Sequence, residues 1–186
     1  ADAAGHAEGD VDPARHARTL TLHGLLMVYL VLVPGIPATL GSFLLPLRLG
    51  TPGLAYPRLN LAALYLWVLG ALLLGLTAFG GGADATNAAL PPPATGGATV
   101  PAFTLAALVA LTGAATLRAV VIVATLHAPP PPRRAGEGAG PLEWSLYAHS
   151  AVTLLTAPVL ALAAVALVAE RHLDLGLFDP ARGGDP

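Results

Sequence analysis

The sequence predicts an all-α integral membrane protein with four transmembrane helices. Three observations indicate this fold class. Of the 186 residues, 55% are hydrophobic and only 11% are charged, against about 25% charged residues in an average soluble domain. The mean hydropathy is +0.69. Four apolar stretches are each close to the ~20 residues that a helix needs to cross ~30 Å of hydrocarbon. The composition therefore disfavours a water-soluble globular enzyme.

The first predicted span covers residues 20–47 and contains Pro34 and Pro37, with Pro46 near its end. A proline inside a membrane helix removes a backbone donor and bends the helix. Membrane proteins tolerate this where neighbouring helices cover the freed carbonyl. We therefore expect a bent helix that is packed on several sides.

The other three predicted spans are more regular. Residues 59–79 contain no formally charged side chain and lead into three glycines. Residues 101–126 are interrupted only by Arg118, and residues 142–169 form the fourth span. Hydropathy alone predicts all three, because an unbroken apolar run of this length is typical of a membrane helix.

Three regions follow from this assignment. We expect residues 1–19 to be an extramembrane lead-in, residues 20–169 to form the four-helix transmembrane segment, and residues 170–186 to be an extramembrane tail. The connectors, residues 83–100 and 127–140, are rich in proline and glycine and cannot continue a helix. Because the number of spans is even, both termini lie on the same side of the membrane. The short loops on the opposite side carry arginines, which favours that side as the cytoplasmic one.

Charge and cysteine content exclude several function classes. The nine basic residues are all arginine, the net charge is −2, and there is no cysteine. This balance supplies no basic stripe for phosphates, so we expect no nucleic-acid partner. Disulfides, thiolate metal sites and cysteine nucleophiles are excluded as well.

His23, at the start of the first span, is the leading candidate for a site residue, because intramembrane polar groups are costly. A neutral imidazole is a good axial ligand for haem iron, and Gly24 beside it leaves room for a flat macrocycle. The alternative is an interfacial histidine whose ring lies among the lipid headgroups. No residue of the chain is predicted to be catalytic.

A six-coordinate haem needs a second ligand, whose nitrogen lies ~4 Å from the first across the iron. At 1.5 Å per residue, His127 and His149 lie roughly 15 to 25 Å from His23 along the membrane normal. His172 lies on the same side as His23 but beyond the fourth span, where a solvated helix end is the favoured interpretation. We therefore expect no second ligand within this chain.

Arg118 has two interpretations. It can snorkel toward the arginine-rich side, or it can pair with a buried acid or a haem propionate. We expect no acid inside the four spans, which favours snorkelling and also excludes the usual intramembrane proton relay. Thr39, Ser42 and Asn60 are interpreted as packing residues at helix interfaces. The aromatic residues interpreted as interface anchors or packing are Tyr56, Tyr65, Trp67, Trp144 and Tyr147.

Several consecutive motifs resemble subunit I of the haem-copper oxygen reductases, the cytochrome c oxidase family. The motifs are TLHGLLMVY (21–29), VPGIP (33–37), GSFLLPL (41–47), AYPRLN (55–60) and FDPARGGDP (178–186). They follow the family's order and spacing from Asp12 onward. A series of this kind is far more specific than a lone histidine.

The resemblance implies that the spans correspond to helices two to five of a twelve-helix haem-copper oxidase bundle. It implies that His23 is an axial ligand of the low-spin haem iron, in a chain that passes electrons from cytochrome c or quinol toward oxygen. Its partners would be membrane lipid and the remaining oxidase segments or subunits, in a bacterial inner membrane. The family's high-spin haem and copper ligands follow the motif that ends at Pro186, so we do not expect this chain to reduce oxygen alone.

The sequence also departs from the family. Gly53 stands where proton-pumping members usually have an aspartate at the mouth of a proton channel, and Ser42 stands where they usually have an asparagine. Asn60 retains its match. A second function therefore stays open, a non-catalytic four-helix membrane accessory or scaffold protein derived from the oxidase fold. A transporter half is disfavoured, because the chain has no internal repeat.

Overall fold

A computed structural model of the chain describes residues 13–79, 102–129 and 138–173. Within these ranges every regular element is helical. The elements are α1 (Pro13–Leu25), a π-helical segment (Leu26–Leu32), α2 (Gly35–Leu49), α3 (Pro57–Phe79), α4 (Ala102–His127) and α5 (Pro141–Leu173). The chain is therefore an all-α protein, as predicted.

Four stretches of the described residues are long and apolar enough to cross a membrane. They are Leu22–Leu49, Pro57–Thr77, Phe103–His127 and Pro141–Ala166. Each begins and ends within three residues of its predicted span. The four-helix prediction is therefore confirmed. The expected connector over residues 83–100, most of the second connector, the start of the lead-in and the motif over residues 178–186 lie outside the described residues.

The helix ends follow simple sequence rules. Helices α1, α3 and α5 begin at Pro13, Pro57 and Pro141, where the missing N–H of proline is not needed and its fixed φ suits the first turn. Helix α2 ends at Leu49, and the next residue, Gly50, has a left-handed φ of 66°, as is common directly after a helix. The amide of Thr51 then bonds to the carbonyl of Pro46 at 3.0 Å, which closes the end of α2.

The first span is irregular beside its prolines. The π-helical segment joins α1 to the turn at Val33 and Pro34. Its i→i+5 pattern appears in the bond from the Val33 amide to the Val28 carbonyl, at 3.0 Å. The prolines predicted a bend in this span, and the departure from α-helical geometry lies directly before Pro34.

Helix α4 is the most buried of the four spans and packs against both α3 and α5. Alanine is the most frequent of its buried residues, and small side chains let membrane helices approach closely. Two apolar clusters hold the bundle together. One consists of Leu74, Ala107 and Leu111, between α3 and α4, and the other of Leu45, Ile122 and Leu146, between α2, α4 and α5.

Gly70 sets the distance between α3 and α4. A Cβ added there would lie 2.6 Å from Cγ of Leu111 and 3.2 Å from the carbonyl oxygen of Ala107, so the Leu111 side chain of α4 packs directly against the backbone of α3. Further along the same interface, the hydroxyls of Thr77 and Thr104 form a buried hydrogen bond of 3.2 Å.

The outward faces of the helices carry large apolar side chains. Leu155 is 77% exposed and Leu162 is 70% exposed within the chain. Apolar surface of this extent is typical of contact with lipid or another protein. The bundle is therefore suited to a membrane on its outer side and is held together through α4 on its inner side.

Candidate functional site

His23 lies near the end of α1, with its side chain exposed. A Cβ added at the neighbouring Gly24 would meet nothing within 4 Å, so the space beside the ring is open to a flat group. Within the described residues no hydrogen bond occupies the His23 ring nitrogens. An exposed ring beside open space is compatible with a ligand to a planar cofactor and equally with a histidine among the lipid headgroups.

The described residues offer one ligand at this position rather than a set. Among them, no group of three or more His, Cys, Asp or Glu side chains is placed to hold a metal ion. The side chain of His172 lies outside the described residues.

His149 contributes to the bundle in a different way. Its ring approaches the backbone of Val33, and its Nε2 lies 3.3 Å from the hydroxyl of Thr153. Pro37 has no N–H to offer the Val33 carbonyl four residues before it. At 1.5 Å per residue, Val33 lies about 15 Å along the first span from His23. His149 is therefore placed to support the irregular span and is too distant to share an iron with His23.

Trp67 covers the carbonyl that Pro34 leaves without its α-helical donor. Pro34 cannot donate to the carbonyl of Leu30, and the indole Nε1 of Trp67 donates to that oxygen at 3.0 Å. The expectation that neighbouring helices cover such carbonyls is confirmed here. The interpretation of Trp67 as an anchor or packing residue did not include this hydrogen bond.

Arg118 lies inside the bundle, with 7% of its surface exposed. Its Nη1 donates to Ser42 Oγ at 2.8 Å and to Asn60 Oδ1 at 2.6 Å. The favoured expectation of snorkelling was wrong. Arg118 lies on the inward face of α4, where acceptors from α2 and α3 are within reach, so its head is satisfied without leaving the bundle. Ser42 and Asn60 are hydrogen-bonding partners rather than packing residues only.

We call Arg118, Ser42 and Asn60 the arginine cluster. A cleft of about 570 Å³ lies beside it, between α2 and α3. Thr39 and Ser42 lie on one wall, and Asn60 lies on the other. The cluster therefore forms a polar end to a cleft whose remaining lining is largely apolar.

Glu143 overturns the expectation that the spans contain no acid. It lies in the first turn of α5, inside the fourth span, with its side chain 2% exposed. Its Oε1 is 3.6 Å from Nε of Arg48, whose side chain is 51% exposed. An acid in the first turn is also favoured by the helix dipole. The charge at this end of the span is tolerated because Arg48 reaches it from the end of α2.

Aromatic rings lie at the end of α4 and the start of α5. The rings of His127 and Tyr147 are 5.7 Å apart between centroids, and Trp144 meets Tyr147 edge to face at 6.1 Å. His127 also bonds through Nδ1 to the carbonyl of Val123 at 2.9 Å. These positions at helix ends agree with the interpretation of the two aromatic residues as interface anchors.

Comparisons with family models and with curated proteins point to the same family. The family model described as "Cytochrome C and Quinol oxidase polypeptide I" matches residues 3–186. Cytochrome c oxidase subunit 1 of Cereibacter sphaeroides is 29% identical over 174 residues, which cover 90% of this chain. The proteins of the same name from Plasmodium falciparum and Synechocystis are 31% and 30% identical over 89% and 95% of this chain.

The similarity covers only part of those relatives. The matched region is 31% of the Cereibacter protein, 36% of the Plasmodium protein and 32% of the Synechocystis protein. The chain thus spans about a third of the length of the curated relatives it matches.

Proposed function

The chain belongs to the cytochrome c and quinol oxidase polypeptide I family, and on this premise we propose that it serves as a segment of subunit I of a terminal respiratory oxidase. In the complete complex it takes part in electron transfer from cytochrome c or quinol toward oxygen. The bacterial relatives support a bacterial inner membrane as its location. The remaining oxidase segments or subunits are its partners, and the segment alone is inactive.

His23 is the residue proposed to hold the low-spin haem, as one axial ligand of its iron. The exposed ring and the open space at Gly24 are the observations that carry this assignment. Haem supplies one-electron redox chemistry when it is bound. The residues of this chain fix the orientation of the ligand nitrogen, and the apolar spans keep water away from the site.

Proton transfer past the arginine cluster is not part of the proposed function. Ser42 and Asn60, at positions that the resemblance relates to a proton channel, both accept hydrogen bonds from Arg118. A fixed positive charge at this point opposes the passage of another positive charge in a low-dielectric interior. Gly53, which is exposed at the loop after α2, has no carboxylate that could take up a proton.

The test is a haem titration of the chain purified from membranes, followed by reduced-minus-oxidised visible spectra. His23→Ala is compared with His127→Ala, which removes an exposed histidine from the end of α4. We expect a reducible haem signal in the unchanged chain and in His127→Ala. In His23→Ala the affinity should fall by roughly tenfold to 100-fold or more, since changes that only touch a ligand's outer partners already cost that much.

Two outcomes would overturn the haem assignment. One is equal haem binding by the unchanged chain and His23→Ala. The other is no reducible haem signal in any of the three proteins. The second outcome would favour the alternative function, a non-catalytic scaffold derived from the oxidase fold.

A further inference from the structure

The charge of Arg118 has no acidic counterpart among the described residues. Its hydrogen-bond partners there are a hydroxyl and an amide oxygen, and both bonds come from Nη1. The ion pair that the described residues contain joins Arg48 to Glu143 instead. An arginine side chain stays protonated in proteins, and a buried charge that meets only neutral groups is costly. An anionic group beside Arg118 would remove that cost.

The cleft beside Arg118 is elongated. Ser42 and Gly35 lie seven residues apart on α2, and Asn60 and Trp67 lie seven residues apart on α3. At 1.5 Å per residue, each wall is about 10 Å long. The arginine cluster forms one end of the cleft, and the indole of Trp67 forms the other.

The opening of the cleft lies on the apolar outer surface of the chain. Leu61 and Leu64 line one wall and are 47% and 44% exposed. Ile36 and Leu40 are exposed on the neighbouring helix. An inorganic anion would have to cross hydrocarbon to reach Arg118 by this route. The acyl chain of an amphiphile is already in hydrocarbon and matches the apolar walls.

We propose that this cleft binds a single-chain carboxylate amphiphile of the fatty-acid class. Its carboxylate pairs with Arg118 beside Ser42 and Asn60, and its acyl chain lies along Leu64 toward Trp67. A volume of about 570 Å³ is within the range of about 300–1,000 Å³ of small-molecule sites. Arginine is well suited to this contact, because its planar head can bond both oxygens of one carboxylate. The proposal does not depend on haem binding.

Trp67 makes the test direct, because it lines the cleft and is one of two tryptophans in the chain. The substitution Trp144→Phe leaves Trp67 as the only tryptophan in the chain. The purified chain in detergent is titrated with a fatty acid brominated in mid-chain, at an alkaline pH that ionises the acid. Bromine quenches nearby indole fluorescence. We expect saturable quenching by the acid and about tenfold weaker quenching by its methyl ester, which corresponds to about 1.4 kcal/mol.

Two variants identify the charge that is responsible. Arg118→Gln should lower the affinity for the acid to that of the ester. Arg58→Gln removes an exposed arginine from the first turn of α3 and should leave the affinity unchanged. A loss of the same size in both variants would overturn the assignment to Arg118.

The comparison of acid with ester needs no variant beyond the single-tryptophan background, so the proposal stays testable if Arg118→Gln does not fold. Equal quenching by acid and ester would overturn it, since the cleft would then bind apolar chains alone. Quenching by a brominated phospholipid that matches the acid in affinity would overturn the single-chain assignment.

Discussion

The indole Nε1 of Trp67 lies 3.0 Å from the carbonyl oxygen of Leu30 and donates a hydrogen bond to it. That carbonyl precedes Pro34 by four residues, so the α-helical donor it would otherwise have is missing. In hydrocarbon an unpaired carbonyl costs several kcal/mol. A side chain of α3 thus completes the backbone hydrogen bonding of the first span. On α5, the ring of His149 approaches the backbone of Val33, four residues before Pro37.

Replacing Trp67 by phenylalanine should destabilise the bundle through the loss of this bond. We expect a decrease of about 0.6 to 1.7 kcal/mol in the free energy of unfolding, the range measured for hydrogen bonds between membrane helices. Unfolding in mixed micelles measures it. Trp144→Phe, at a position that is 63% exposed, serves as the control. Equal stability of the two variants would show that the indole N–H contributes nothing.

Pro34→Ala should remove the need for the indole. The alanine N–H can bond to the Leu30 carbonyl, so Trp67→Phe should cost less in that background than in the natural chain. A double-mutant cycle on the same unfolding measurement should give a coupling energy of roughly 0.5 kcal/mol or more. Strict additivity of the two changes would contradict this interpretation.

Hydropathy predicted the four spans well, because an apolar run of sufficient length has few other stable arrangements. The partners inside the bundle were harder to predict. The carbonyls freed by Pro34 and Pro37 can be counted from the sequence, but the rings near them, those of Trp67 and His149, lie on helices distant in the chain. Nothing in the local pattern around Trp67 or His149 distinguishes a ring that donates to a carbonyl from one that only packs.

Arg118 illustrates the same limit. Its residue type and depth were evident from the sequence, but its direction depends on acceptors 76 and 58 residues away, at Ser42 and Asn60. Glu143 was missed for a related reason. From the sequence alone, an acid in the first turn of a span is expected to lie outside the membrane. The burial of Glu143 becomes evident only from its contact with Arg48.

Gly70→Ala should separate α3 from α4. The added Cβ overlaps the side chain of Leu111, and overpacking of this kind costs about 1–3 kcal/mol. Gly75→Ala, on the same helix, adds a Cβ that meets nothing within 4 Å, so it should be neutral or slightly stabilising. Thermal unfolding in detergent compares the two. A similar change in both would mean that the contact with Leu111 does not decide the result.

Asn60→Leu should leave Arg118 with Ser42 as its remaining partner in the cluster. We expect a loss of about 1–3 kcal/mol, the cost of leaving a buried polar group short of a partner. In an Arg118→Met background the same substitution should cost little, because no charge is left to satisfy. Denaturant unfolding of the four proteins measures the difference. An equal loss in both backgrounds would assign the role of Asn60 to packing.

The π-helical segment has a geometric consequence for the two halves of the first span. An i→i+5 bond encloses one more residue than an α-helical bond, and each residue corresponds to about 100° around the axis. His23 precedes the segment and points away from the bundle. Gly41 follows it and lies against Ile122, where an added Cβ would be 3.0 Å away. The segment thus rotates the two halves of the first span relative to each other about the helix axis. As a result, the proposed ligand His23 faces away from the side on which the span packs at Gly41.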